Sequence, residues 1–239
     1  MPRFFVNEIN ENDITLTGEN ARHIGRSLRM RPGEKITVCC NKTDYNCEIS
    51  RITEDTVFLE LKEKIVCQAE PNIEVTLFQA VPKLDKLEYI IQKSVELGVS
   101  HIVPVLTKRC ISRPTEKDFA KKLPRLNKIA EEASKQSGRG IITDVSEIIP
   151  YSIALQQIKN FDKSLILYEG GGKHFGEIDF SGTKSVALII GSEGGFEKSE
   201  VEKAIKVGSE QIWLGKRILR CETAPISALS ILMFLTNNM

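Results

Sequence analysis

The chain has 239 residues, of which 41% are hydrophobic, and its 33 lysines and arginines balance 32 aspartates and glutamates. This length allows two domains, no apolar run approaches the roughly 20 residues of a membrane span, and the net charge alone does not mark a nucleic-acid-binding protein. The start, MPRFFVNEIN, lacks the apolar centre of a signal peptide, and the six cysteines form no CxxC pair, so we expect a cytosolic chain with free thiols and no zinc site.

The first 70 residues predict several short strands and one basic helix, which together suggest a small β-barrel. The predicted strands are 3–6, 35–40, 45–52 and 56–61, and the predicted turn is 41–44. Between the first two strands, Arg22, Arg26 and Arg29 recur at the spacing i, i+4 and i+7, which would place three guanidinium groups on one face of a helix. Such a face either contacts RNA phosphates or is only solvated, and the charges alone favour neither interpretation. The predicted domain boundary is the segment 68–72.

From residue 73 onward, predicted strands and helices alternate, which is typical of a mostly parallel sheet with helices on both faces. The predicted strands are 73–81, 99–106, 141–145, 165–168, 186–190 and 211–214. The predicted helices are the apolar stripe 84–95, the segments 123–137 and 152–158, a helix that Ser199 and Glu202 cap and Gly208 ends, and a helix that starts at Pro225. The sequence therefore predicts an α/β domain after the β domain.

Glycine-rich turns follow three of the predicted strands. They are Glu169-Gly170-Gly171-Gly172, the segment from Gly191 to Gly195, and the segment from Gly215 to Arg220. Ligands of open α/β sheets bind beyond the carboxyl ends of the strands, so the three turns could converge on one pocket. The last two turns match neither GxGxxG nor GxxxxGK(S/T), which disfavours an enzyme that binds dinucleotides or nucleoside triphosphates. Ile218 and Leu219 suit stacking against a flat ligand, and Arg217 and Arg220 suit an anion or a base edge.

Two of these turns also carry a family resemblance. The sequences IGSEGGF and LGKRILRCETA resemble the signature of the 16S ribosomal RNA uracil-N3 methyltransferases, a family of the SPOUT, or trefoil-knot, superfamily. The segments HIGRSLRMRPGEKI, QAVPKLDKLEYIIQKSVELGV and EEASKQSGRG are similar to further motifs of that family, so the resemblance covers most of the chain. The family usually has proline at the position of Ser192 and often threonine at the position of Cys221.

The resemblance implies an architecture and an activity. Residues 1–70 would form a PUA-like barrel that holds RNA, and residues 71–239 would form a knotted α/β methyltransferase domain with the S-adenosylmethionine site and a homodimer interface. The reaction would be methylation of N3 of a uridine in 16S rRNA, within the 30S subunit. Two alternatives stay open: an inactive RNA-binding or ribosome-assembly module on the same fold, and a nucleotide-binding enzyme that uses the glycine turns for phosphate.

Site residues follow from the resemblance and from the turns, and no metal ligand is among them. The predicted cofactor-binding residues are Leu167, Tyr168, Glu169, Gly170, Ile190, Gly191, Ser192, Glu193, Gly194, Gly195, Leu214, Gly215, Ile218, Leu219, Arg220, Thr223 and Ala224. The predicted RNA-binding residues are Arg22, His23, Arg26, Arg29, Lys83, Lys93 and Arg139. The helix from Pro225 is apolar nearly all round and must be covered, so one of three residues is predicted to lie in or next to the dimer interface: Leu229, Leu232 or Met233.

Arg220 is the predicted catalytic residue. Attack by uracil N3 spreads negative charge towards two carbonyl oxygens, which a fixed guanidinium stabilises, and the alternative role as a structural partner of Glu222 or of a carbonyl stays open. Glu193 would accept a proton or bind a backbone N–H, and the second role is favoured because an unperturbed glutamate is a weak base at neutral pH. Cys221 is not needed as a nucleophile, because a thiol adduct activates a ring carbon of uracil, although Arg217 and Arg220 could lower its pKa.

Overall fold

The structure is a computed structural model that describes the backbone of residues 1–239 and every side chain except that of Leu84, which belongs to the predicted 84–95 stripe. The chain divides into two compact units. The first contains Met1–Glu70 and Ser134–Ile142, and the second contains Pro71–Ala133 and Thr143–Met239. The sequence did not predict that residues 134–142 belong to the first unit.

The first unit is built on a five-stranded sheet. Its strands are β1 (Arg3–Phe5), β2 (Ile14–Thr17), β3 (Lys35–Cys40), β4 (Thr43–Ile52) and β5 (Thr56–Val66), in the order β1-β3-β4-β5-β2. Every pairing is antiparallel except that of β1 with β3. Asn41 and Lys42 connect β3 to β4 with φ values of 48° and 60°, which suit a two-residue hairpin turn that follows the twist of the strands. Inward side chains such as Phe4, Leu16 and Val38 form the core of this unit.

The basic segment of the first unit differs from the predicted helix. The helix α1 (Gly18–Arg22) passes directly into a π-helical turn, His23–Ser27. Arg29 lies beyond this turn with a φ of 53°, in the left-handed region. The prediction that Arg22, Arg26 and Arg29 share one α-helical face is therefore wrong, because the π-turn changes the angular spacing and the helix ends before Arg29.

The second unit is a seven-stranded parallel sheet with helices on both faces. Its strands are β6 (Glu74–Ala80), β7 (His101–Leu106), β8 (Asp144–Val145), β9 (Ile149–Pro150), β10 (Lys163–Leu167), β11 (Ser185–Ile190) and β12 (Glu210–Ile212). Its helices are α2 (Leu84–Glu96), α3 (Glu116–Ala120), α4 (Leu123–Gln136), which ends in the first unit, α5 (Tyr151–Gln157), α6 (Lys198–Lys206) and α7 (Thr223–Leu235). The strand order is β12-β10-β11-β6-β7-β8, and β9 also pairs with β7. Among the residues described, no helix is both long and apolar enough to cross a membrane.

Alternate residues of the central strands enter two apolar clusters, one on each face of the sheet. In β11, Leu188 packs with side chains of α2, α4 and α7, whereas Ile189 packs with side chains of α5 and α6. This alternation follows from the two-residue period of a strand, and it explains why β11 is apolar at nearly every position. The predicted α/β fold with helices on both faces, beside a small N-terminal β domain, is confirmed. The trefoil knot stays a prediction.

Local differences from the predictions concern short elements and one helix start. The strand predicted at 141–145 is reduced to β8, and α3, β2 and β9 were not predicted. The capping pair of α6 is Glu197 and Glu200 rather than Ser199 and Glu202, because burial of Phe196 just before it starts the helix two residues earlier than predicted.

Candidate active site

One cavity lies beyond the carboxyl ends of β10, β11 and β12, which are neighbours in the sheet. Its volume is about 530 Å³, which falls in the usual range for a small-molecule site. Its walls come from residues 167–169, 190–196 and 212–221, together with Lys86 of α2 and Ala224 of α7. This is the position in which open α/β sheets bind ligands. The predicted convergence is present for the turns after β11 and β12, whereas only Glu169 of the turn after β10 lines the cavity.

The glycine turn after β11, residues 191–195, is shaped by contacts that exclude side chains. A Cβ on Gly191 would lie 3.0 Å from the Cα of Gly195, and a Cβ on Gly194 would lie 2.8 Å from the carbonyl oxygen of Arg109. Gly195 has a φ of 63°, and its N–H donates to the carbonyl of Ser192 at 2.9 Å. The turn therefore needs glycine both for its packing and for its conformation, and it brings backbone rather than bulky side chains to the cavity.

The turn after β12, residues 213–220, supplies aromatic and apolar surface. Trp213, the single tryptophan of the chain, lines the cavity, and the ring of His174 packs on its indole with 5.2 Å between ring centres. Ile218 is 84% exposed, and Leu219 is half-buried. Both side chains predicted to stack on a flat ligand are thus at the cavity, and the first leaves almost all of its apolar surface accessible.

A partly buried charged cluster joins the glycine turn to the start of α7. Lys86 Nζ lies 3.4 Å from Glu193 Oε1 and 3.1 Å from Glu222 Oε2, and the N–H of Lys83 donates to Glu193 Oε1 at 3.2 Å. Burial opposes ionisation of both carboxyl groups, but hydrogen-bond donors and the Lys86 ammonium outweigh it and lower both pKa values. Glu193 is therefore ionised and paired at neutral pH, which makes it a poor general base. Its carboxylate accepts a hydrogen bond from the backbone N–H of Lys83, which is the second of the two expected roles.

Arg220 lies at the cavity with its side chain exposed. Among the side chains that the structure describes, it makes no ion pair, and the carboxylate of Glu222 is held by Lys86 instead. The alternative in which Arg220 is the structural partner of Glu222 is therefore wrong. Its guanidinium keeps its hydrogen-bond donors for a ligand, and its catalytic role stays a prediction.

Cys221 has the opposite environment, although it is the next residue. It is buried, and its thiol donates to Glu222 Oε2 at 3.2 Å. Burial, the bond to Glu222 and the charge of Glu193 raise the pKa of the thiol to about 12, against a smaller opposing effect of Lys86. The expectation that Arg217 and Arg220 could lower this pKa is therefore wrong, and the protonated thiol is not a nucleophile at neutral pH.

Most of the predicted cofactor-binding residues line this one cavity. They are Leu167, Tyr168, Glu169, Ile190, Gly191, Ser192, Glu193, Gly194, Gly195, Leu214, Gly215, Ile218, Leu219, Arg220 and Ala224. Gly170 and Thr223 lie outside its lining, and Gly170 instead packs so closely on the ring of Tyr168 that a Cβ would collide with it. Which of the lining residues touch a cofactor stays a prediction.

Several lining residues were not predicted as site residues. They are Lys86, Phe196, Ile212, Trp213, Lys216 and Cys221, whereas Arg217, which was expected to suit an anion or a base edge, is also in the lining. Trp213 immediately precedes Leu214 in a turn already assigned to the site, so its position was a usable signal. Lys86 lies in a helix more than a hundred residues before Glu193 and Glu222, and the family motif that contains it, QAVPKLDKLEYIIQKSVELGV, does not distinguish it from the other lysines there.

The four predicted RNA-binding residues of the first unit's basic segment, Arg22, His23, Arg26 and Arg29, are exposed. Arg26 lies 3.9 Å from Glu54, which is a weak ion pair in solvent, and the ring of His23 packs edge-on against Phe4. These side chains are accessible to a phosphate backbone. Their contact with RNA stays a prediction.

The other three predicted RNA-binding residues have different surroundings. Lys83 is exposed, and the ammonium of Lys93 donates to both carboxylate oxygens of Glu96 at 2.9 Å. Arg139 is only 2% exposed and forms a two-point ion pair with Glu70 at 2.8 and 2.9 Å. The prediction that Arg139 contacts RNA is wrong, because its guanidinium is inside the first unit and is already paired.

Comparison with known proteins gives the same family along the chain. Residues 69–233 match the model of an RNA methyltransferase domain, and residues 16–62 match that of an RNA methyltransferase PUA domain. The chain is 34% identical to ribosomal RNA small subunit methyltransferase E of Bacillus subtilis, over 99% of this chain and 97% of that protein. It is 36% identical to the protein of the same name from Mesomycoplasma hyopneumoniae, over 96% and 98%. The structure of the Neisseria gonorrhoeae protein of that name, bound to S-adenosyl methionine, matches with a TM-score of 0.89 and 32% identity over 98% of each chain.

Proposed function

We propose that this chain, which belongs to the family of ribosomal RNA small subunit methyltransferase E proteins, transfers a methyl group from S-adenosylmethionine to N3 of a uridine in 16S rRNA. The observation that carries the proposal is the cavity of about 530 Å³ beyond β10, β11 and β12, on which the segments IGSEGGF and LGKRILRCETA converge. A family member of the same fold binds this cofactor.

The residues around the cavity suit S-adenosylmethionine by their chemistry. A nucleoside needs apolar walls and a few backbone hydrogen-bonding groups, and Trp213, Ile218 and Leu219 supply apolar surface beside the glycine turn. Gly191 and Gly195 keep side chains out of the space between the turns. The cofactor supplies an electrophilic methyl group on sulfur, so the chain has to orient the reactants and exclude water rather than form a covalent intermediate.

Arg220 carries the chemical step in this proposal. Uracil N3 bears a proton, which would pass to solvent water as N3 attacks the methyl group and S-adenosylhomocysteine leaves. Until the N–C bond forms, the deprotonated ring would carry negative charge on its two carbonyl oxygens. An exposed guanidinium at the cavity, without an ion pair among the described side chains, can stabilise that charge. Glu193 and Cys221 are unsuited to the step because the carboxylate is paired and the thiol is protonated.

The two parts of the chain have separate tasks in this proposal. Residues 1–70 form the PUA-like part that holds RNA through the exposed basic segment 22–29, and residues 71–239 carry the methyltransferase site and the dimer interface. The substrate is 16S rRNA within the 30S subunit, in the cytosol. The exposed side chains of the basic segment support the first assignment, and the cavity supports the second.

The helix α7 supports a homodimer, and the prediction that one of the three named residues lies in or next to its interface stays a prediction. Leu229, Leu232 and Met233 are buried in the core of their own unit, so they cannot touch a partner directly. The exposed apolar side chains of the helix are Ile231, Phe234 and Leu235. We expect a second copy of the chain to cover this apolar surface. Sedimentation that gives only monomer at micromolar concentration would contradict the homodimer.

The function is tested by titration and by methylation. Calorimetry of the full chain should show S-adenosylmethionine binding with no binding of ATP or NAD, which serve as controls. Methylation of 30S subunits from a strain that lacks the protein, followed by mass spectrometry, should yield one 3-methyluridine in 16S rRNA. A chain that binds the subunits but not the cofactor would instead be an RNA-binding module.

A further inference from the structure

The loop that follows β7, residues 107–113 and hereafter the β7 loop, packs against the glycine turn. On one side of β11 the sheet continues with β10 and then β12, and these three strands border the cavity. On the other side it continues with β6 and then β7. Ser192 Oγ donates to the carbonyl of Arg109 at 3.2 Å, and Arg109 Nη1 donates to the carbonyl of Gly194 at 3.3 Å. The β7 loop therefore lies at the edge of the site.

Hydrogen bonds hold the β7 loop in one conformation. The N–H of Thr107 donates to Cys110 Sγ at 3.4 Å, and Arg113 Nη1 donates to the carbonyl of Thr107 at 2.7 Å. The N–H of Lys108 donates to Glu200 Oε1 at 2.9 Å, and its ammonium pairs with Glu197 at 2.8 Å. A loop anchored at this many points is pre-organised, so little conformational entropy remains to be lost when a ligand binds it.

Two exposed side chains of the β7 loop, those of Arg109 and Ile111, are suited to bind a ligand. Ile111 is 64% exposed although its neighbour Cys110 is buried, and its β-branched side chain has few rotamers to lose. Arg109 is exposed and uses one of its guanidinium N–H groups on Gly194, which leaves further donors. The carboxylate of Glu197 pairs with Lys108 and also feels the charge of Arg109, so two cations act on this one carboxylate and it offsets the positive charge of Arg109 only in part.

We propose that Arg109 and Ile111 form an RNA-binding rim of the methyltransferase unit, with the guanidinium on a backbone phosphate and the isoleucine against the face of a nucleobase that flanks the methylated uridine. The inference rests on the proposed function, because an acceptor base that enters the cavity brings its neighbouring nucleotides to the edge of the glycine turn. A cation beside an exposed apolar side chain matches the two features that single-stranded RNA offers, a charged backbone and flat bases.

The test uses single-turnover methylation by the full chain at increasing concentrations of unmethylated 30S subunits. The variants are Arg109→Gln and Ile111→Ser. The matched controls are Lys206→Gln and Ile205→Ser, an exposed cation and an exposed isoleucine in the last turn of α6. Each rim variant should raise the half-saturating subunit concentration about five- to tenfold, and each control should leave it within about twofold of the wild type.

Cofactor affinity, measured by calorimetry on the same proteins, separates the rim from a structural role. Ile111→Ser should keep the affinity for S-adenosylmethionine, since Ile111 does not line the cavity. If Arg109→Gln weakened cofactor binding and left the half-saturating concentration unchanged, Arg109 would only support Gly194, and the rim would be refuted. Rim variants that match their controls would also refute it. A wild-type chain that binds the cofactor but methylates no subunit would instead refute the proposed function.

Discussion

The glycine turn of the second unit and the basic segment of the first unit differ in what determines their conformation. Gly191 and Gly194 have no space for a Cβ, so the glycines record a steric requirement of the fold. The arginines of segment 22–29 are exposed, and the chain there passes into a π-turn, after which Arg29 has a φ of 53°. A pattern imposed by backbone contacts therefore predicts conformation better than a pattern of solvated charges.

Arg220 is exposed, as the arginines of the first unit are, but it lies at the cavity. If it had no more than a solvated role, removing it would not change the reaction. We expect Arg220→Ala to lower the single-turnover methylation rate by about 10²- to 10³-fold, because charge on the uracil carbonyls would lose its stabilising guanidinium. Affinity for S-adenosylmethionine and the melting temperature should barely change, since Glu222 is held by Lys86. Arg220→Lys should restore part of the rate at most, because it keeps the charge but not the planar fork.

A normal rate in Arg220→Ala would remove the residue from the catalytic site. Loss of cofactor binding together with stability would instead show a structural arginine. Calorimetry and thermal melts on both variants, run beside the rate measurement, distinguish these outcomes from the expected one.

The steric requirement for glycine in the glycine turn is tested by adding one methyl group at Gly194. A Cβ on Gly194 would meet the carbonyl of Arg109 at 2.8 Å, so Gly194→Ala has to displace backbone. Overpacking of this kind costs about 1–3 kcal/mol of folding stability, so the melting temperature should fall, and displacement of the turn should also weaken cofactor binding measured by calorimetry. Gly176→Ala is the matched control, since its Cβ would have no neighbour within 4 Å, and it should bind like the wild type. Equal affinities for the two variants would contradict the steric account.

The same distinction explains which features the sequence predicts. Strand alternation, helix stripes and glycine turns are local, and they identify the α/β fold and most of the cavity lining. Lys86 and Arg139 owe their roles to partners that are distant in sequence: Glu193 and Glu222 for the first, and Glu70 for the second. Their charge and neighbours in the sequence do not reveal those partners, so one was missed and the other was assigned to RNA.

Contact of the basic segment 22–29 with RNA phosphates is tested by the triple variant Arg22→Ala, Arg26→Ala and Arg29→Ala. If all three side chains contact phosphates of single-stranded RNA, the slope of log affinity against log salt should fall by about two, because fewer counterions are released. Cofactor affinity should stay unchanged. A control that removes three exposed cations elsewhere in the first unit is Lys35→Ala, Lys62→Ala and Lys64→Ala, on β3 and β5. Identical slopes for the two triple variants would show that the basic segment is only a solvated surface.

The smallest effect on the methylation rate is expected at Cys221, which is buried and has no role in the proposed chemistry. Its pKa of about 12 leaves a thiolate fraction near 10⁻⁴ at pH 8, so alkylation by iodoacetamide should be slow at that pH and accelerate only as the pH rises towards 12. Cys221→Ser keeps a hydrogen-bond donor for Glu222, so the methylation rate should stay within about twofold of the wild type. A rate loss as large as that of Arg220→Ala would make the thiol part of the chemistry. Comparable loss in Cys221→Ala but not in Cys221→Ser would instead assign the effect to the bond with Glu222.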